Sequence, residues 1–361
     1  MVSFFLANGC GLSERIEDSD LVLVNSCCVT EDKIVASRAA LDLARSAGKN
    51  RQVLLAGCMA DLPLPDLNRS DLLCIGPAHL DYLDRHFPCP LSASQIAVHR
   101  LSPAFYEPGQ GLGHRDYYLM IARGCVNNCS YCNIKRVKGE VRSEPSGTVL
   151  DDLRHGLAKG AREFVLLADD CASYGRDRGG DLAQLMADLL AQGDGFSLKL
   201  NYLFPRYVAD HLPDLMKVFA GGRVSYVNIP FQSGSQRILD LMNRHYDIDR
   251  TRDALRQLRA LTPETTFCTH MMINFPTETE EDYLASLALA KEFDTALFLH
   301  YSDNSGTPAA EIHPKVPDDV ARRRLDRAST YIGRRGAKGG AVISDFNCNM
   351  PYNLTGIMKE S

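Results

Sequence analysis

No apolar run in this chain of 361 residues approaches the roughly 20 needed to cross a bilayer as a helix. The first ten residues lack the basic start and long apolar core of a secretory signal, so a soluble, cytoplasmic protein with no membrane contact is expected. Positive charge is not in excess either: 40 Lys and Arg face 45 Asp and Glu, a formal net charge of −5. That excludes a global basic field for a polyanion and leaves only a local patch to hold one. Twelve cysteines are too few for a disulfide scaffold, yet many for a cytoplasmic enzyme that does nothing with thiols. What is present is the mix of a globular enzyme, 45% apolar and 24% charged, in a length that suggests two domains.

The first 86 residues alternate apolar runs with a helical pattern. Runs at 4–7, 21–24 and 53–56 read as buried strands of a parallel sheet, with a helix over 31–47 between the last two. A cysteine follows each run: Cys10 after Asn8-Gly9, Cys27 after Asn25-Ser26, Cys58 after Gly57. Ligand sites of open α/β sheets lie outside the carboxyl ends of the strands, so these thiols are expected to converge on one metal site. The plainer alternative makes them small buried apolar side chains. Pro, Ser and Gly crowd 87–116, which reads as a linker.

Six further strand candidates follow, at 118–123, 164–168, 198–204, 226–231, 266–275 and 296–301, with amphipathic helices such as 149–161, 182–192, 250–261 and 280–293 between them. Six βα units fall short of the eight of a full barrel. The expected fold class is therefore α/β: a small flavodoxin-like parallel-sheet domain over 1–86, a partial (β/α)6 barrel over 117–314, and a C-terminal helix and tail over 315–361. The tail carries a helix over 317–332 with Arg322, Arg323, Arg324 and Arg327, then Arg334, Arg335 and Lys338. This patch reads either as a solvated face or as a contact for a phosphate-bearing substrate.

The sharpest signal directly follows the first barrel strand. Arg123-Gly124-Cys125-Val126-Asn127-Asn128-Cys129-Ser130-Tyr131-Cys132 is Cys-x3-Cys-x2-Cys. Three thiolates on one loop suit a cubane cluster with one iron left open, whereas electron-transfer clusters take four cysteines. A structural zinc site wants a fourth nearby Cys or His, and 121–147 contains none. An open iron suits chelation by the amino and carboxylate groups of S-adenosylmethionine.

On these residues the chain resembles the radical S-adenosylmethionine enzymes, and among them the methylthiotransferases that modify tRNA adenosines or a ribosomal-protein aspartate. Asn-Gly-Cys10, Val-Asn-Ser-Cys27 and Ala-Gly-Cys58 match the contexts of the cysteines that hold a second four-iron cluster in that family. Cys28 falls beside the matching position. Further matches are Ala172-Ser173-Tyr174-Gly175, Ile229-Pro230-Phe231-Gln232-Ser233-Gly234-Ser235, Met242-Asn243-Arg244, Phe275-Pro276-Thr277-Glu278-Thr279-Glu280-Glu281-Asp282 and Gly306-Thr307-Pro308-Ala309.

The resemblance implies two 4Fe-4S clusters, one on Cys125, Cys129 and Cys132 and one on Cys10, Cys27 and Cys58. The first cleaves S-adenosylmethionine to a radical that abstracts hydrogen from an unactivated C–H, and the second carries sulfide for a methylthio transfer. Asp169, Arg142 and Gln232 are candidate contacts for S-adenosylmethionine, or simply polar residues of the barrel mouth. An electron donor of flavodoxin or ferredoxin type and a monomeric state are expected. The sequence departs from the family in its shorter spacing between Cys10 and Cys27, in Asp169 where a Gln is usual, and in Thr277 where a Gly is usual. The stretch after Ile332 is also shorter than the small β-barrel that closes the family's chains. These departures make a small molecule or peptide a contender beside RNA and protein as substrate. Sulfur insertion without methylation, another radical transformation, and a noncatalytic metal-binding protein remain alternatives.

Overall fold

The computed structural model describes residues 1–93, apart from 14, 29–30, 47–50, 63, 65–66, 68–71, 78 and 80, and residues 116–333. Expectations for the linker between these stretches, and for Arg334, Arg335 and Lys338, lie outside the described residues. Among the described residues no helix is long and apolar enough to cross a membrane. The chain divides into two compact units: Met1–Ser102 with Cys132–Gly139 and Ser302–Ser305, and the remainder.

The first unit is built on three parallel strands in the order β1 (Leu21–Ser26), β2 (Gln52–Gly57), β3 (Leu73–Ile75). The helix Glu31–Ser46 links the first two. Alternation along β2 explains its uninterrupted apolar run. Val53 and Leu55 pack with Ile34 and Leu41 of that helix, while Leu54 turns to the other face with Phe4, Ile75 and Leu83. A parallel sheet needs cover on both faces. Part of the second cover comes from the amino terminus, and here the structure corrects the sequence reading: residues 4–7 are not a strand but lie in the helix Val2–Ala7. Phe4 is 2% exposed and Leu6 45% exposed, so burial is one-sided, as on a helix that lies against a sheet. A four-residue apolar run does not distinguish the two forms by itself.

The second unit holds a six-stranded, all-parallel sheet in the order β11-β10-β9-β8-β7-β4. The strands are β4 (Asp116–Met120), β7 (Glu163–Leu167), β8 (Ser197–Leu200), β9 (Val224–Asn228), β10 (Thr266–Ile273) and β11 (Thr295–His300). This sequential order is that of a partial barrel with helices on its outer face. The candidate strand over 118–123 divides: after Met120 the chain leaves the sheet, and β5 (Ala122–Arg123) pairs antiparallel with β6 (Arg142–Ser143). Gly156, on the helix Ser146–Ala158, allows that helix to close on β4 and β7, since a Cβ there would lie 2.6 Å from Phe164 and 3.1 Å from Tyr117.

The two ends of this sheet differ. Near the amino ends Lys199 Nζ sits 2.8 Å from buried Asp116 and 2.5 Å from half-exposed Glu163. At the carboxyl ends the backbone is strained, with φ of +65° at Tyr202, +73° at Gln232 and +64° at Asn274. Non-glycine residues hold such conformations at a cost of about 1–3 kcal/mol each, and they cluster where function needs them.

Two predictions follow from this packing. Gly156→Ala should lower stability by about 1–3 kcal/mol through overpacking against Phe164, read as a lower Tm; an unchanged Tm would show that the helix can shift freely. Glu278 is buried; its Oε2 accepts from the Asn274 N–H at 2.7 Å and pairs with Arg324 at 3.2 Å. Burial nevertheless pushes its carboxyl up from 4.5 to about 7. Folding thus raises this pKa, so its contribution to stability is complete below pH 4.5 and declines as pH rises through 7. Glu278→Gln should flatten that decline, which amounts to about 3 kcal/mol at most. Parallel melting profiles for the two proteins from acid to alkaline pH would contradict it.

Candidate active site

The cluster loop begins at Gly124, where a φ of +76° turns the chain out of β5 and the amide donates to Asp169 Oδ2 at 2.9 Å. Asp169, one of the three candidate contacts, is therefore at the loop. Its neighbour Asp170 does more. It is 5% exposed and accepts from Ser173 Oγ (2.7 Å), Asn127 Nδ2 (3.0 Å), Ala172 N (3.0 Å) and Phe204 N (3.2 Å). Burial raises its pKa, and these donors work against that rise. Burial and the adjacent Asp170 push the Cys125 thiol up to about 11, so without metal it keeps its proton.

The far side of the loop is fastened by the turn after the helix Gln236–Leu241. Ser130 donates from N to Met242 O (2.9 Å) and from Oγ to Leu241 O (2.8 Å), and Asn243 Nδ2 donates to Asn128 O (2.6 Å). Arg244 is 4% exposed, lies 4.3 Å over the Phe204 ring, and donates to Pro230 O (2.6 Å), Tyr131 Oη (3.4 Å) and Cys129 Sγ (3.5 Å).

Each of the three loop sulfurs receives an N–H. Asn127 N donates to Cys125 Sγ at 3.4 Å, Arg244 to Cys129 Sγ, and, in the first unit, Ile134 N to Cys132 Sγ at 3.4 Å. Such donors suit thiolates bound to iron, whose charge they stabilise. The residues therefore fit an iron–sulfur cluster. Among the described residues no group of three or more His, Cys, Asp or Glu could hold a metal ion as placed. The fit rests on loop position and donors rather than on a closed cage.

The remaining two candidate contacts part company. Arg142 is exposed on β6, in register with Arg123. Gln232 is 8% exposed and lies beyond the end of β9 at Asn228; its backbone bonds His270 O (2.8 Å) and Met272 N (2.7 Å), and its Oε1 has no partner. Asn201 is wholly buried with both amide atoms unpartnered, and Asn228 has an unpartnered Oδ1 while its Nδ2 meets His270 Nε2 at 2.9 Å. Burial holds His270 down at about 4, so it is neutral. Unpartnered buried amides cost about 1–3 kcal/mol each, and these three, which follow β8 and β9 at their carboxyl ends, are groups that a ligand's hydrogen bonds would satisfy.

Asp170, Arg244, Asn201, Asn228 and His270 were not read as site residues from sequence. The signal for the first was its position after an apolar strand, and for the second its place in Met242-Asn243-Arg244. Cys171, next to Asp170, is wholly buried and turns its thiol to Asn201 O at 2.9 Å.

In the first unit Cys27 and Cys58 follow strands that pair in register up to Ser26 and Gly57. Ser26 Oγ donates to Ala56 O (2.6 Å) and accepts from Met59 N (3.2 Å), tying the two ends together. Gly57 has a φ of +91°, and a Cβ there would stand 2.4 Å from Ser26 O. Cys10 is different: it is exposed and follows a helix, not a strand, which corrects the picture of three equivalent strand ends.

Comparison with known proteins places the chain. Residues 119–290 match the Radical SAM superfamily, and residues 1–72 match "Uncharacterized protein family UPF0004". A ribosomal protein uS12 methylthiotransferase RimO from Pelotomaculum thermopropionicum is 30% identical over 351 residues, covering 91% of this chain and 77% of that protein. The chain belongs to the radical SAM methylthiotransferase family. A tRNA-2-methylthio-N(6)-dimethylallyladenosine synthase from Desulfitobacterium hafniense is 29% identical over 334 residues, 88% of this chain and 74% of that protein. Among solved structures, the radical S-adenosylmethionine methyltransferase TsrM from Kitasatospora setae, with cobalamin and a 4Fe-4S cluster bound, aligns with a TM-score of 0.53 at 13% identity, over 82% of this chain and 67% of that one. The cobalamin-dependent radical enzyme OxsB aligns with a TM-score of 0.53 at 13% identity, over 86% of this chain but 48% of its own length. These two likenesses show the fold alone. Membership of the family makes this methylthiotransferase homologue a radical SAM enzyme, with an iron–sulfur cluster and S-adenosylmethionine as its cofactors.

Asp170→Ala should deprive Asn127 of the cluster loop and the donors of Ser173, Ala172 and Phe204 of this acceptor and cost about 1–3 kcal/mol. Iron bound after anaerobic reconstitution is expected to fall with it; full iron content in a stably folded variant would show that the loop holds its shape without Asp170.

Proposed function

We propose that this radical SAM enzyme transfers a methylthio group to an unactivated C–H, using one 4Fe-4S cluster on Cys125, Cys129 and Cys132 and a second on Cys10, Cys27 and Cys58. The observation that carries the first assignment is the N–H donor aimed at each of the three loop sulfurs. The first cluster supplies the electron that cleaves S-adenosylmethionine, delivered by a donor of flavodoxin or ferredoxin type.

The chain's own residues do the rest. Asp170 and the turn 242–244 hold the loop from two sides. Asp169, already at the loop through Gly124, is the acceptor offered to the methionyl ammonium, and exposed Arg142 and buried Gln232 are the weaker candidate contacts. The amides of Asn201, Asn228 and Gln232, with neutral His270, stand at the carboxyl ends of the strands as hydrogen-bonding groups for the substrate. The second assignment rests on Cys27 and Cys58 at paired strand ends and on the family-like sequence context of Cys10, which follows a helix. The substrate is a small molecule, a peptide, an RNA or a protein; the two relatives above act, by their names, on a tRNA adenosine and on a ribosomal protein.

The test is iron content after anaerobic reconstitution, wild type beside Cys10→Ala/Cys27→Ala/Cys58→Ala. About eight irons per chain, falling to about four, is expected. About four in both would remove the second cluster and the sulfur chemistry with it. Where the second cluster stands, product mass separates methylthio transfer from addition of sulfur alone.

A further inference from the structure

Among the described residues two arginines are buried, and they differ in what answers their charge. Arg324 pairs with Glu278 and with Glu280, each at 3.2 Å. Arg244 makes no ion pair with a carboxylate among the described residues. Its guanidinium is held by Pro230 O and Tyr131 Oη, by the rings of Phe204 at 4.3 Å and Tyr246 at 5.8 Å, and its Nε has no partner. The one atom in contact that can become an anion on binding metal is Cys129 Sγ, at 3.5 Å. A cation taken out of water with no counter-ion is costly, so this side chain is placed for a negative group. The backbone donors at the other two loop sulfurs, Asn127 N and Ile134 N, are neutral. A full positive charge is aimed at Cys129 only.

We infer that Arg244 is the counter-ion of the radical SAM cluster and raises its reduction potential through Cys129. This rests on the proposed cluster on Cys125, Cys129 and Cys132. Reduction adds one electron, so a fixed positive charge at a ligand sulfur favours the reduced cluster over the oxidised one. The electron comes from the flavodoxin- or ferredoxin-type donor, and Arg244 keeps its protons throughout. Burial strengthens the effect, because the charge acts through a medium less polar than water. Arg244 works through Cys129 and is a positioning residue: it makes the cluster easier to reduce before S-adenosylmethionine is cleaved.

The experiment is a redox titration of the anaerobically reconstituted full chain, followed by EPR of the reduced cluster. Every protein carries Cys10→Ala/Cys27→Ala/Cys58→Ala, so that only the radical SAM cluster reports. Arg244→Gln and Arg244→Met remove the charge, and Arg244→Lys keeps it. Ser130→Ala loosens the same loop at constant charge by removing the bond to Leu241 O. About four irons per chain are expected. Both neutral variants should shift the one-electron equilibrium about tenfold or more toward the oxidised cluster, a potential lower by 59 mV for each factor of ten. Arg244→Lys and Ser130→Ala should stay close to the protein with Arg244 and Ser130 intact. An unchanged potential in the neutral variants overturns the inference and leaves the cluster standing. An equal fall in Ser130→Ala also overturns it, since a slack loop would then account for the shift. Loss of iron in both neutral variants does so too, because Arg244 would then assemble the loop rather than tune it. No iron with Arg244 intact removes the cluster itself, and the inference with it.

Discussion

A single buried carboxylate organises one side of the radical SAM site. Asp170 collects donors from the cluster loop, from the turn after β7 and from the segment after β8. Hydrogen bonds to a charged acceptor are worth about 1.5–3 kcal/mol each. The order of the loop is thus bought by desolvating one acid. Arg244 does the complementary work opposite, stacked on Phe204 and donating to Cys129 Sγ and Tyr131. An acid and a base, both taken out of water, hold the loop that carries Cys125 and Cys129.

The first unit meets a similar problem with smaller means. Its sheet has three strands, and the ends of β1 and β2 are tied through one serine hydroxyl, Ser26. Gly57 lets β2 approach Ser26 more closely than any side chain would allow. The result is a set of thiols, Cys27, Cys28 and Cys58, at one end of a sheet covered on both faces.

Much of this was legible in the sequence, for reasons that differ from element to element. The six strands of the partial barrel announce themselves as short apolar runs separated by helical periods, and all six are found in sequential order. The Cys-x3-Cys-x2-Cys loop needs no tertiary information, because its three cysteines are local. Residues 4–7 misled because a short apolar run reads the same on a helix as in a strand, and only the second face of the sheet decides between them. Asp170 and Arg244 were hidden for another reason: a charged residue is assumed exposed until its partners are known, and partners such as Asn127, Phe204 and Cys129 lie 34 or more positions away in sequence. The unpartnered amides of Asn201 and Asn228 are invisible to any local rule, since an Asn at the end of a strand is ordinarily a turn residue.

The central claim is that the loop held by Asp170 and Arg244 carries a cluster able to cleave S-adenosylmethionine. Formation of 5′-deoxyadenosine by the anaerobically reduced, reconstituted chain, compared with Cys125→Ala, tests it most directly. The account predicts 5′-deoxyadenosine from the wild type and none from the variant. No 5′-deoxyadenosine from a fully iron-loaded wild type, or equal amounts from both proteins, would contradict it.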